Sequence, residues 1–209
     1  GGWRYRPGDT GDTSQLGWQV MALKSAQLAG IEVPSTTWTR IERFLRHVRR
    51  GSEGGLAAYR PQGPASRTMT AEALYCRQLL ASDVPGMAHV AAVEEAVRSL
   101  SARRPKVPSN GQMAERMNLY YWYYATLALH RVQHDSATSN GAWETWNQAL
   151  VKTLLATQQA DGSWDNGTVW GGYGGRVYTT ALAALCLEVY YRYRPERPPA
   201  DMAQRGGWR

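Results

Sequence analysis

Asp161-Gly162-Ser163-Trp164, then Gly171-Gly172-Tyr173-Gly174-Gly175, then Thr179-Thr180-Ala181-Leu182-Ala183-Ala184-Leu185, is the stretch whose reading decides the fold. It runs from a glycine-rich loop through a Ser/Thr start into a helix of small and apolar residues. The same order occurs earlier in the chain. Tyr5-Arg6-Pro7 recurs as Tyr59-Arg60-Pro61, an offset of 54, and that offset carries Ser14 onto Thr68, Gly17 onto Ala71, Val20 onto Leu74 and Ala22 onto Cys76. A third copy keeps its helix, Asn118 to Val132, and lacks the glycine pair in its loop. Units of roughly 50 to 60 residues fit one helical hairpin and one long loop each.

Working outward, periodicity and stop signals predict seven helices. They run over Ser14 to Leu28, Thr36 to Arg49, Met69 to Ser82, Met87 to Ala102, Arg116 to Gln133, Ala142 to Gln159 and Val177 to Tyr193. No strand is expected. The first, third, fifth and seventh helices are apolar nearly all round, which suits burial on every side. The second and sixth are amphipathic. Arg40, Glu42, Arg43 and Arg46 stand against Ile41, Phe44, Leu45 and Val48, and Trp143, Trp146, Leu150 and Leu154 form one stripe. The fourth belongs with them. The fold class expected is therefore all-α, with an inner ring and an outer ring of helices.

Composition narrows the function. With 43% hydrophobic and 20% charged residues, the 209-residue chain has the makings of one core and is not a disordered one. No apolar stretch approaches the 18 or so residues of a membrane span. The chain opens Gly1-Gly2-Trp3-Arg4, without Met or an apolar leader, as a processed chain or a piece of a longer protein would. Net charge is +7, almost all of the positive part from scattered Arg, which reads as a basic surface rather than a nucleic-acid face. Cys76 and Cys186 lie inside apolar helical runs and are expected to be buried free thiols. Twelve Tyr and nine Trp against one Phe favour a core that meets water or a lined cavity.

The sixth helix and its loop read Gln158-Gln159, then Asp161-Gly162-Ser163-Trp164. This resembles the Gln-Trp motif of the squalene–hopene cyclase and prenyltransferase repeat family. Gly2-Trp3 is similar to the tail of another such motif, and Asp12 to Leu23 and Gly175 to Leu182 resemble the inner helix that follows it. The resemblance covers most of residues 1–194, leaves 195–209 as a tail, and is nearest to the uncharacterised bacterial members. It implies an α/α toroid, inner helices around a cavity and outer helices around them. A closed ring of this kind takes about twelve helices. Seven then make a partial toroid that stays open, joins preceding repeats or closes against a second copy. The implied ligand is hydrophobic, of isoprenoid type. The other reading is a non-catalytic scaffold or recognition module for a protein or glycan.

The chemistry of the family is only partly present. The cyclases protonate their substrate from Asp-x-Asp-Asp, and that motif is absent; Asp9 and Asp12 come nearest, and Asp12 reads better as helix-start chemistry. The zinc set of the protein prenyltransferases, with an Asp two residues before the Cys, is absent at both Cys76 and Cys186, and so is the Cys-Gly-Glu-Gln thioester. His47, His89, His130 and His134 are dispersed, so neither a metal nor another cofactor is expected. Placing the inner helices in register puts Gln15, Trp18 and Gln19, Glu72, Tyr120, Tyr123 and Tyr124, His130 and Thr179 toward a common space. Those rings either line a cavity or pack between helices. Glu72, among Thr70, Ala71, Ala73 and Leu74, is the candidate for an acid of raised pKa; the commoner outcome is an ion pair with Arg67 or Arg176. Arg6, Arg60 and Arg176 follow glycine-rich loops near helix starts, where an anion can be held.

Overall fold

The computed structural model describes residues 1–108, 117–133 and 141–192. The Arg116 helix start, His134, Asn140, Tyr193 and the 195–209 tail lie outside the described residues. The chain is all-α: α1 (Thr13–Leu28), α2 (Ser35–Val48), α3 (Arg67–Leu80), α4 (Val90–Ser101), α5 (Leu119–Val132), α6 (Ala142–Thr157), α7 (Gly171–Leu187) and the short α8 (Val189–Arg192). One feature departs from the expectation of no strand. Arg49–Arg50 (β1) and Leu56–Ala57 (β2) pair antiparallel, Arg49 opposite Ala57. Two residues per strand leave no alternation in a sequence to read.

Helices α1, α3, α5 and α7 pack side by side in that order, while α2 and α4 lie on α3 and α6 lies on α5. Four helices thus form one row, with the other three long helices against it. Two cores meet at α3. Met69, Ala73, Cys76 and Leu80 join Leu16, Val20 and the apolar face of α2. Ala71, Leu74 and Tyr75 join α4, α5, α6 and α7. The all-round apolar character of α3 and α5 is used in full, since ten of fourteen and twelve of fourteen residues are buried. It is not used in α1, which buries only Thr13, Leu16, Gly17 and Val20, nor in α7. Each has an inner neighbour along one side, so its other faces meet solvent.

The repeat is visible in how each inner helix starts. Asp12, Ser66 and Asn118 each accept a hydrogen bond from the amide three residues on, at 3.0–3.2 Å, satisfying one of the orphan donors of the first turn. Upstream, the Asp12 amide donates to Trp3 and the Ser66 amide to Ala57, again 54 residues apart. In α7 the start differs. Gly175 (φ 72°, ψ −174°) breaks the helix into a four-residue turn and the segment 176–187. Helix α4 starts at Val90, three residues later than its apolar run, because Gly86 (φ 80°) continues the turn that Pro85 begins.

The Gln-Trp loop does what its chemistry allows. The Gln158 side chain donates to the Gly162 carbonyl at 2.8 Å, and the Trp164 indole donates to the Leu154 carbonyl in the last turn of α6 at 3.0 Å. Trp164 is buried over that helix end. In the unit that follows α2 the same place is built from other residues. Arg49, the residue after the helix, donates to the carbonyls of Glu53 and Gly54, and Ala57 stands where Trp164 stands in the later copy.

Candidate functional site

A cavity of about 580 Å³ opens where the N-terminal ends of α1, α3, α5 and α7 converge. Its volume is in the range of small-molecule sites. Helix α1 contributes Ser14, Gln15 and Trp18; α3 contributes Thr68 and Met69, with Ser66 before it; α5 contributes Tyr120, with its cap Asn118. Tyr178 comes from α7, and the loops add Tyr5, Tyr59, Val169 and Trp170. The lining is therefore chiefly aromatic, with hydroxyls and amides at helix starts.

Trp18 forms the central wall. It stays 39% exposed while one face of its ring lies parallel to Tyr123, at 5.7 Å and 14°. Tyr124 meets it edge-on at 5.8 Å and Tyr120 tilts against it at 6.5 Å. Such offset and edge contacts fix ring orientation and add to area burial. The wall is held by rings that are themselves buried, and Trp18 presents its open side to the cavity. Trp170, also in the lining, has φ 69°, a left-handed backbone outside glycine. That conformation costs about 1 kcal/mol or more and concentrates at functional positions.

Glu72 stands one layer back. It is fully buried and does not line the cavity. Its Oε1 accepts from the Gly17 amide at 2.9 Å, and its Oε2 lies 3.1 Å from the Tyr120 hydroxyl. That hydroxyl also lies 2.8 Å from the Ser14 carbonyl oxygen, which can only accept. Tyr120 has one proton to give. If it goes to Ser14, the contact with Oε2 is a hydrogen bond only when Glu72 carries the proton and donates it to Tyr120. The electrostatics agree. Burial pushes the Glu72 pKa well above the usual carboxylate range, against the pull of the Gly17 amide and the Tyr120 phenol, and Asp12 adds to the rise. Burial, then the proximity of Glu72, likewise raises the Tyr120 phenol. The Glu72 carboxyl thus ties α1, α3 and α5 together directly behind the aromatic wall.

The ion pair expected for Glu72 does not form. Arg67 donates to the Ser99 carbonyl and Arg176 pairs with Asp161 at 2.7 Å on the exposed surface. Close approach makes the Glu72 site possible instead: a Cβ on Gly17 would stand 2.5 Å from both Glu72 Oε1 and the Tyr124 hydroxyl. The other sequence candidates fall in different places. Gln15, Trp18 and Tyr120 line the cavity; Tyr123 and Tyr124 back it; Gln19 is half-buried beside it on α1. His130 is away from it, edge-on to Trp143 at 4.9 Å and near Tyr190. Thr179 is buried, with its hydroxyl on the Gly175 carbonyl. Asp9 is exposed in a turn. Asp12 is the buried cap of α1, holding the Gln15 amide, the Ser14 and Tyr59 hydroxyls and, at 3.7 Å, Arg4. Arg6, Arg60 and Arg176 are exposed and do not line the cavity. Sequence reasoning missed the loop rings Tyr5, Tyr59 and Trp170. The offset that pairs Tyr5 with Tyr59 was the signal for two of them.

Both cysteines are buried free thiols. Burial pushes both thiols up, away from the reactive thiolate form. Among the described residues no group of His, Cys, Asp or Glu could hold a metal ion, and no helix is long and apolar enough to cross a membrane. Set against protein-family models, curated proteins and solved structures, the chain matches none of them.

Proposed function

We propose that this chain is a squalene-cyclase-like repeat segment of an α/α toroid that binds an extended apolar ligand, of isoprenoid type, against Trp18. The observation that carries the reading is the converging cavity with its ring-lined wall. Flat π-faces bind polyene chains by dispersion and stabilise positive charge near them. Two further features support it. The Gln-Trp loop closes α6 with the hydrogen bonds that its residue pattern implies, and inner and outer helices alternate along the chain. Binding rather than turnover is the activity proposed. Glu72 is fully buried behind Tyr120 and does not line the cavity.

A second reading, a recognition module for a protein partner, draws on the exposed apolar edge of α7, where Tyr173 is 92% and Val177 83% exposed. Incubation with squalene and with farnesyl diphosphate, followed by native mass spectrometry and product analysis, separates the two. Retention of one lipid per chain, unchanged on recovery and reduced at least tenfold in Trp18→Ala, is expected. Absence of retention in the wild type contradicts the ligand-binding reading and leaves the module.

A further inference from the structure

A second, smaller cavity of about 70 Å³ lies between α2, α3 and the start of α4, at the other end of α3 from the large one. Arg77 lines it, eight residues beyond Met69, or about 12 Å along the helix at 1.5 Å per residue. The Arg77 side chain is 95% buried: its relative exposure is 5%. Its Nη1 donates to the Gly55 carbonyl at 3.1 Å, and its Nη2 is buried without a hydrogen-bond partner. A buried guanidinium with an unused donor is a costly arrangement unless an anion completes it. Burial, then the nearby Arg49, lowers its pKa to about 10, so it remains charged at neutral pH.

The charges facing this space are unbalanced. Arg46 and Arg49 line it with Arg77, against the single lining carboxylate of Glu42, which is already paired with Arg46. Arg49 gives its donors to the carbonyls of Glu53 and Gly54, which satisfy hydrogen bonds and cancel no charge. Glu95 acts on Arg77 from nearby and keeps its charge, although its oxygens accept from the amides of Ser52, Glu53 and Gly55 and from the Ser52 hydroxyl; three guanidiniums still face two carboxylates. The N-terminus of α4 opens here as well, with Ala92 of its first turn in the lining. No side chain caps that end, and its first turn has no acidic residue. Free amides at a twelve-residue helix start carry partial positive charge and favour an anion.

We infer that this cavity is an oxyanion site, sized for one phosphate group, held by Arg77, Arg49 and the first-turn amides of α4. Arg77 supplies a buried positive charge with an unused donor, and Arg49 supplies the second positive charge. An anion there links the α2–α3 loop to the start of α4. The site is independent of the isoprenoid reading.

The test is isothermal titration of the full chain with inorganic phosphate, at constant ionic strength set with sodium chloride. One saturable phosphate per chain is expected, weakened at least tenfold in Arg77→Met and in Arg49→Met. The second variant alters an exposed residue, so it reports even if the first does not fold. A parallel titration with glycerol 3-phosphate identifies the source. Equal binding shows that the site takes a phosphate group on a larger molecule, and binding of inorganic phosphate alone shows a free ion. A response no greater than that to chloride, or an affinity unchanged in the variants that fold, overturns the inference.

Discussion

Replacing Glu72 with Gln is the perturbation that separates a neutral buried carboxyl from a charged one. In the arrangement described, Gln is nearly isosteric with protonated Glu. Its Oε1 accepts from the Gly17 amide, and its Nε2 donates to Tyr120, which still donates to the Ser14 carbonyl. The substitution then costs about 1 kcal/mol or less at pH 5, the scale of one imperfect hydrogen bond. The pH dependence has a definite sign. The folded-state pKa of Glu72 is raised above the unfolded value, which is about 4.3 for a free carboxyl. The stability contributed by its neutral form is therefore fully present below the unfolded pKa and is lost as pH rises through the folded pKa, at about 1.4 kcal/mol per pH unit in between. Glu72→Gln removes that loss. Urea unfolding followed by tryptophan fluorescence, at several pH values from 4 to 9, reads both effects. The variant should match the wild type in acid and exceed it in mild alkali. Glu72→Ala, which loses both bonds and leaves a void, should cost about 2–4 kcal/mol in acid and less in mild alkali, since it too removes the titrating carboxyl. If Glu72→Gln costs about 3–5 kcal/mol at pH 8, Glu72 is an ionised partner in a charge pair and the reasoning about the aromatic wall is refuted.

Gly17→Ala should destabilise by about 1–2 kcal/mol, because overpacking at 2.5 Å from Glu72 and Tyr124 outweighs the roughly 1 kcal/mol gained in helix propensity; a more stable variant in denaturant melts counts against the close approach. Trp164→Phe should cost about 1 kcal/mol by removing the indole bond to the Leu154 carbonyl, and Trp164→Ala about 3–5 kcal/mol; equal losses would show that the bond contributes nothing beyond packing. Trp18→Ala should lower stability by only about 1 kcal/mol, since one side of the ring is open to the cavity, while ligand retention falls far more; parallel thermal and binding measurements would expose a merely structural Trp18 by a large drop in Tm.

Much of the helical organisation is legible in the sequence, for identifiable reasons. The 54-residue offset survives because both copies need the same turn and cap, and Asp12 and Ser66 occupy matching positions at the helix start. The all-round apolar pattern of α5 reports full burial correctly. The same pattern in α1 misleads, because composition does not say how many neighbours a helix has. The site was half legible. Helical spacing finds Gln15, Trp18 and Tyr120, which project from regular elements. It places His130 on the face of Tyr123, yet seven residues is two turns, which carries His130 to the far end of α5 against Trp143. Trp170 and Tyr59 stand in loops, where no period fixes direction. Glu72 was recognised as buried, but its partners were not. Arg67 and Arg176 are the charged partners composition offers, whereas the true partners, Gly17 and Tyr120, reach it through a missing Cβ and a long phenol.

The central claim is that the space between the N-terminal ends of the four inner helices receives an extended apolar ligand. Photo-crosslinking with a diazirine-bearing farnesol, followed by peptide mapping, tests it most directly. Saturable adducts on the peptides carrying Trp18, Tyr120 and Trp170, suppressed by excess unlabelled farnesol, are the predicted result. Labelling that does not saturate, or that falls on the Trp143–Tyr190 end of the molecule instead, would contradict it.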